Sequence, residues 1–232
     1  MDQTAGTFVV RIWLPDRPGA LGAVASRIGG VRGDVIAIDV LERGGGRAVD
    51  ELTVELEDAA LIDLLIAEIG HVDGVDVEDV RAIAGTGVDR VVTALRAGRA
   101  MAAASTRTEI EQVLCDQVML VFNADWACLL DAGATVQLAV AGIDPPPVSW
   151  LAAFAHGVTS REGATSRAAG AGAASTSIDE LCFAGLSNGT TLVLSRAALP
   201  LRAVECSVLD ELVAIASTRV DELSIATLNR SA

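Results

Sequence analysis

The chain has no lysine, and all 17 of its positive side chains are arginines. A phosphate-binding loop built on the usual G-x-x-x-x-G-K-[ST] lysine is therefore excluded. The two glycine-rich stretches, 44–46 and 157–172, also lack the Rossmann spacing after a parallel strand, so neither an NTPase nor a dehydrogenase is expected. Histidine is almost as scarce, with only His71 and His156. Without an HxxxH, an HExxH or clustered cysteines, metal binding and triad chemistry are not expected. Ser195 and Ser207 sit in no G-x-S-x-G elbow. The four cysteines, Cys115, Cys128, Cys182 and Cys206, are scattered without CxxC spacing inside apolar periodic segments. They read as buried, reduced thiols of a cytoplasmic protein.

Long uninterrupted apolar runs are missing too. The most apolar stretch, 118–143, is broken by Asn123, Asp125, Asp131 and Gln137, and no basic N-terminal start precedes an apolar segment. Neither secretion nor a membrane span is expected. A net charge of −14 argues against nucleic acid and anionic membrane surfaces as partners, since both need clustered cations. What the chain does have is apolar substance: 51% of its 232 residues are hydrophobic and 21% charged, enough for one large core or two small ones.

Periodicity divides the first third into six elements. Phe8, Val10, Ile12 and Leu14 alternate with Val9, Arg11 and Trp13, the pattern of a half-buried strand. After Pro15-Asp16-Arg17-Pro18-Gly19, the residues Leu21, Val24, Ala25 and Ile28 recur at helical spacing until Gly29-Gly30. Val35–Leu41 and Leu52–Leu56 flank Gly44-Gly45-Gly46 as an antiparallel hairpin. A second helix starts at Asp58, a candidate N-cap, and carries Leu61, Leu64, Leu65 and Ile69. A last strand covers Val75 to about Ile83, with a slip at Asp79-Val80 that predicts a bulge or an edge position. The order β-α-β-β-α-β predicts two helices on one face of a four-stranded sheet, with Val9, Trp13, Val35, Ala37 and Leu41 on or near the other face.

Gly85-Thr86-Gly87 marks the end of this unit, and a helical stretch then runs from Val88 to about Phe122. It breaks at Ser105-Thr106, where Glu109 completes a capping box. Strands are predicted at Trp126–Leu130, Thr135–Ala141, Ile178–Leu186 and Thr190–Ser195, the last two joined through Ser187-Asn188-Gly189. A short helix covers Val148–His156, and a closing helix carries Val204, Val208, Leu209, Leu212 and Ile215. Residues 157–177, nearly all Gly, Ala, Ser and Thr, read as a mobile loop. The whole is an α+β chain: residues 6–84, a linker helix over 85–105, and a second α+β domain over 106–225.

The turn at Pro15–Leu21 is the feature that points to a ligand. Asp, Pro and Gly allow close backbone approach, and the helix that follows offers N–H groups to a carboxylate. Asp16 has a structural alternative as a helix or turn cap, Asp34 as a turn residue after Gly33, and Arg17 as a solvated or dimer-contact side chain. His71, at a helix end, reads as a partner of the helix dipole.

Leu14-Pro15-Asp16-Arg17-Pro18-Gly19-Ala20-Leu21, placed between the first strand and first helix of a β-α-β-β-α-β unit, resembles the signature loop of the ACT domain, a module that binds amino acids in metabolic enzymes and free-standing sensors. The resemblance covers residues 6–84. It implies an effector held where two such domains abut, between this loop and the start of the second strand of the neighbouring subunit. The implied ligand-binding set is Leu14, Asp16, Arg17, Pro18, Gly19, Ala20, Leu21, Asp34 and Val35. Asp16 and Asp34 are carboxylates where serine-binding members carry amides, which suits an effector's ammonium group. Leu14 stands where those members have a histidine, so serine itself is not implied. Residues 107–222, with Asn123-Ala124-Asp125-Trp126-Ala127 leading into a strand, resemble a GAF domain without a chromophore-type cysteine motif.

The expectation is a cytoplasmic, non-catalytic regulatory sensor that binds an amino acid or similar small metabolite. A homodimer through the ACT-like domain or the helix over 88–122 is implied, with no cofactor and no metal. The alternative is a regulatory subunit that acts on a partner enzyme without an effector of its own.

Overall fold

A computed structural model describes residues 5–83, 89–131, 133, 135–159, 166–169, 179–187, 189–197 and 199–231. The chain divides into two compact units, Met1–Val88 with Arg202–Val204, and Asp89–Leu201 with Glu205–Ala232. The expected boundary at Gly85-Thr86-Gly87, most of the expected loop over 157–177, and Asn188 lie outside the described residues.

The first unit has the predicted order: β1 (Gly6–Pro15), α1 (Ala20–Gly30), β2 (Gly33–Gly44), β3 (Arg47–Leu56), α2 (Ile62–Gly70) and β4 (Asp76–Ile83). Its sheet runs β2-β3-β1-β4, antiparallel throughout, the ferredoxin-like arrangement. Val10, Ile12, Leu14, Leu52, Val54 and Leu56 point at Val24, Ile28, Leu65 and Ile69 of the helices to form one core. Asp58 caps the turn Ala59–Leu61 that opens α2, its carboxylate accepting from the Ala60 N–H at 2.9 Å. The slip expected at Asp79-Val80 is a register shift one residue earlier, with Ile12 opposite Val77 and Arg11 opposite Asp79, and β4 is also an edge strand.

Three sequence expectations need correction in this unit. Leu64, assigned to the apolar face of α2, is 48% exposed, because the short helix turns only Leu65 and Ile69 fully inward. Val35 packs against the helix-side core and not on the opposite face, since it pairs in register with the core residue Val54. β1 is not half-buried: Arg11, on the face away from the helices, is fully buried.

The second unit comprises α3 (Arg90–Ala103), α4 (Arg107–Phe122), β5 (Trp126–Asp131), β6 (Val136–Gly142), α5 (Val148–Thr159), β7 (Ser166–Ala169), β8 (Asp179–Gly185), β9 (Thr191–Ala197) and α6 (Ala203–Ser231). The break between α3 and α4 is the predicted capping box: the Thr106 hydroxyl accepts from the Glu109 N–H and the Glu109 carboxylate accepts from the Thr106 N–H. The antiparallel sheet runs β6-β5-β9-β8-β7. One face, through Ala127, Leu129, Leu192 and Leu194, meets α3, α4 and α6; the other, through Trp126, Cys128, Leu130 and Phe183, meets α5. Covered on both sides, β5 is apolar at every position from Trp126 to Leu130.

Corrections arise here as well. Ser166–Ala169, expected to be part of a loop, is an edge strand paired with β8. Val204 and Ile215, expected on the buried face of α6, are 45% and 39% exposed, while Leu209, Leu212, Val213, Ala216 and Val220 form that face. The composition did not signal a buried ion pair. Arg196 on β9 donates to both carboxylate oxygens of Glu205 at 2.8 and 3.0 Å and to the carbonyls of Phe122 and Leu199. Cys115, Cys128 and Cys182 are buried and Cys206 half-buried, all as free thiols. Burial pushes Cys115 up to about 12 and Cys128 to about 11, which removes thiolate chemistry from both at neutral pH.

Candidate functional site

The loop between β1 and α1 is held by its own backbone. The Asp16 N–H donates to the Gly46 carbonyl at 2.9 Å, tying the loop to the β2–β3 turn, and the Arg17 N–H donates to the Pro15 carbonyl at 2.8 Å. Gly19 occupies the N-cap of α1 at φ +87°, a left-handed conformation that favours glycine. From there its carbonyl accepts the Ala23 N–H, the first bond across the entry to the helix.

No side chain caps this helix. Asp16, weighed at the sequence level as a possible cap, leaves that position to a glycine without a side chain. The first turn of α1, at Leu21 and Gly22, therefore presents N–H groups with no intrahelical acceptor. Asp16, Arg17, Pro18 and Gly19 are exposed, Ala20 and Leu14 are buried, and Leu21 is half-buried. Leu14 belongs to the core under the loop and offers it no polar group.

Asp34 and Val35 are not brought to this loop within the chain. In the sheet register Pro15 lies opposite Arg47 at one end, and Thr7 and Asp34 both lie opposite Glu55 at the other. Eight residues of β1 separate those ends, roughly 26 Å at about 3.3 Å per residue. Asp34 is exposed at the start of β2, an edge strand that also leaves Ile36, Ile38 and Val40 exposed.

The structure adds one residue that the sequence reading passed over. Asp50 lies on β3 opposite Ile12 and Val40, between Ala48 and Leu52 on the helix-facing side, at the end of the sheet where the loop sits. It is 3% exposed, and its Oδ1 is buried without a hydrogen-bond partner. Burial raises its pKa above the ordinary carboxylate value; Arg43 opposes that rise and the nearby Asp16 charge adds to it. The signal was present in the alternation Ala48-Asp50-Leu52-Val54, where a carboxylate stands in an otherwise apolar series.

An acid whose folded pKa is raised binds its proton more tightly in the folded state. Stability is then greatest at low pH and falls as pH rises from 3.8 through the folded value. Asp50→Asn is expected to raise the melting temperature at neutral pH by removing the cost of a buried, uncompensated charge, on the order of 1 kcal/mol. The gain should vanish below about pH 4, where the wild-type carboxyl is protonated in both states. Melting curves across pH test this, and a gain equally large at the acid end would refute it.

Other features do not converge on the loop. A groove of about 490 Å³ between α1 and α2 is lined by Ser26, Arg27, Gly30, Val31, Leu64 and Glu68, and the Arg27–Glu68 ion pair at 2.9 Å spans it near the C-terminal end of α1. His71 follows α2 with its Nδ1 3.7 Å from Glu68, consistent with a helix-end role. In the second unit, the sheet face under α5 is filled by Leu151, Ala152 and Ala155, and a Trp150–Phe154–Phe183 cluster packs beside them. No group of three or more His, Cys, Asp or Glu able to hold a metal occurs among the described residues. No helix among them is long and apolar enough to cross a membrane.

No family model and no curated protein matches the chain. Solved structures similar to it include the ACT domain of GTP pyrophosphokinase from Chlorobium tepidum, 18% identical over 34% of this chain and all of that one, with a TM-score of 0.29. The GAF domain of the Acinetobacter phosphoenolpyruvate-protein phosphotransferase is 12% identical over 59% of this chain and 95% of that one, at 0.45. Myxococcus xanthus MglB is 16% identical over 50% and 91%, at 0.41. ACT and GAF domains are thus both among the solved folds similar to this α+β chain.

Proposed function

We propose that this protein is a non-catalytic, cytoplasmic regulatory sensor whose first unit binds an amino acid or a similar small zwitterion at the β1–α1 loop. The observation that carries this reading is the uncapped N-terminus of α1 behind an exposed Asp-Arg-Pro-Gly turn. Backbone N–H groups there suit a carboxylate, and the Asp16 carboxylate beside them suits an ammonium group.

The site is completed by a second copy of the chain. β2 is an unpaired edge with Ile36, Ile38 and Val40 exposed, and antiparallel pairing of two such edges sets the start of one against the end of the other. Because the β2–β3 turn is tied to the loop through Gly46, this pairing carries Asp34 of the partner subunit toward Asp16. A ligand bridging the two gains affinity only for the paired state, which makes it a regulator of packing. Sedimentation equilibrium should return a dimer, and a monomer at all concentrations would remove this half of the site.

Calorimetry of the full chain against the twenty L-amino acids tests the reading, and folded dimer that gives no heat with any of them defeats it. Gly19→Val supplies the local control. Beyond the flanking residues no atom lies within 4 Å of a Cβ added there, so the main cost is the left-handed φ, roughly 1–2 kcal/mol or more for a β-branched side chain. The variant should fold and lose binding, and unchanged affinity would make the loop structural.

A further inference from the structure

Asp50 is a carboxylate placed where the core wants an apolar side chain. Its strand neighbours on the same face, Ala48 and Leu52, are buried apolar residues, and so are Ile12 and Leu14 on the adjoining strand. Arg11 and Glu51, the other buried charges of this unit's sheet, satisfy each other through two hydrogen bonds, at 3.0 and 2.7 Å. Asp50 Oδ1 has no such partner. The register puts it toward the loop end of the sheet, where the β2–β3 turn is tied to Asp16 through Gly46, and the Asp16 charge adds to the rise of its pKa. A buried carboxylate with an unused acceptor, within reach of the Asp16 charge at the exposed rim, suits a cation. The uncapped helix N-terminus beside them favours an anion. A small zwitterion, with an ammonium and a carboxylate on one carbon, satisfies all three features.

We propose that Asp50, with Asp16, receives the ammonium group of the ligand whose carboxylate lies at the N-terminus of α1, so that the site selects free α-amino acids over acids lacking the amine. This rests on the reading of the loop as a ligand site and adds the residue that sets its chemical selectivity. Asp50 accepts the N–H bonds with the oxygen now unpartnered, and the ammonium supplies the positive charge that the buried carboxylate lacks. Binding should therefore favour the ionised form of Asp50 and draw the loop down onto β3.

The full-length protein is titrated with the twenty L-amino acids and with their N-acetyl derivatives, for the wild type and for Asp50→Asn. The expected result is that the wild type binds one or more free amino acids and that acetylation weakens binding by about tenfold or more, the usual effect of losing a hydrogen bond to a charged group. Asp50→Asn should show a similar loss for the free amino acid and little further loss on acetylation. Equal binding of free and acetylated ligands, or equal binding by wild type and variant, would overturn the role of Asp50 while leaving the loop as a ligand site. A wild type that binds none of the forty compounds defeats the loop reading and this inference with it. The acetylation arm reads the ammonium contact in the wild type, and a melting curve of Asp50→Asn at least as stable as wild type shows that its loss of binding is not a loss of fold.

Discussion

Gly142→Ala is expected to destabilise the second unit by on the order of 4 kcal/mol, among the largest effects of any single methyl group in this chain. Gly142 ends β6 at φ +92°, directly opposite Trp126. A Cβ built there lies 2.2 Å from the Asp125 carbonyl oxygen and 2.5 Å from the Trp126 Cα, and both of those atoms are backbone. No rotamer relieves the overlap, so the strand end must move away from β5. That movement breaks the pairing at Trp126 and the bond from the Ile143 N–H to the Asp125 carbonyl, 3.1 Å. The left-handed φ adds roughly 1–2 kcal/mol for an L-residue. Urea denaturation of the variant should show the transition of this unit at much lower denaturant. A loss below about 1 kcal/mol would mean that this strand end yields freely and that Gly142 is not the close-approach position described.

Glu51→Ala should cost the first unit about 3–5 kcal/mol, the usual penalty for removing one partner of a buried ion pair. Arg11 is fully buried and Glu51 is 4% exposed. Glu51 Oε1 accepts from Arg11 Nε at 3.0 Å, from Arg11 Nη2 at 2.7 Å and from Arg81 Nη2 at 3.1 Å. The substitution leaves a fully buried guanidinium without the carboxylate that takes two of its bonds. Glu51→Gln keeps an acceptor oxygen but drops the charge, and should fall between the two. Replacing both members, Arg11→Met with Glu51→Leu, should recover most of the loss, because two apolar side chains owe nothing to desolvation. A double variant no better than Glu51→Ala would show that the pair is not the source of the penalty. The denaturation midpoint of the first unit is the measurement.

These two positions frame what was legible in advance. Phe8, Val10, Ile12 and Leu14 announced β1 and its buried face, Thr106 and Glu109 announced a helix start, and Asp58 announced another. Each is a local signal, carried by residues within one turn or one strand of each other. Arg11 carried no such signal. In an alternating strand an arginine reads as solvent-facing, and its burial depends on a carboxylate 40 positions away. Leu64 and Ile215 failed in the opposite direction: helical spacing marked them as core, and packing left them 48% and 39% exposed. Ser166–Ala169 has no strand pattern in its sequence, and its conformation comes from hydrogen bonds to β8, which any side chain accepts.

The candidate site divides along the same line. Its loop was readable because Asp-Arg-Pro-Gly between a strand and a helix has few backbone conformations available, and Gly19 adopts a left-handed one that glycine tolerates best. The distance between that loop and Asp34 was not readable, since it follows from the register of β1, β2 and β3.

By itself the sequence determined the order of elements, the α+β class, the caps at Asp58 and Thr106 and the place of the loop, because periodicity and capping act over a few residues. Only the tertiary structure decided which charged groups lie in the interior, that α1 starts without a side-chain cap, and that Asp50 stands buried with a free oxygen at the loop end of the sheet. Burial and hydrogen-bond partners are set by strands and helices meeting from distant parts of the chain; the alternation around Asp50 marks its face, and only those meetings fix its lack of a partner.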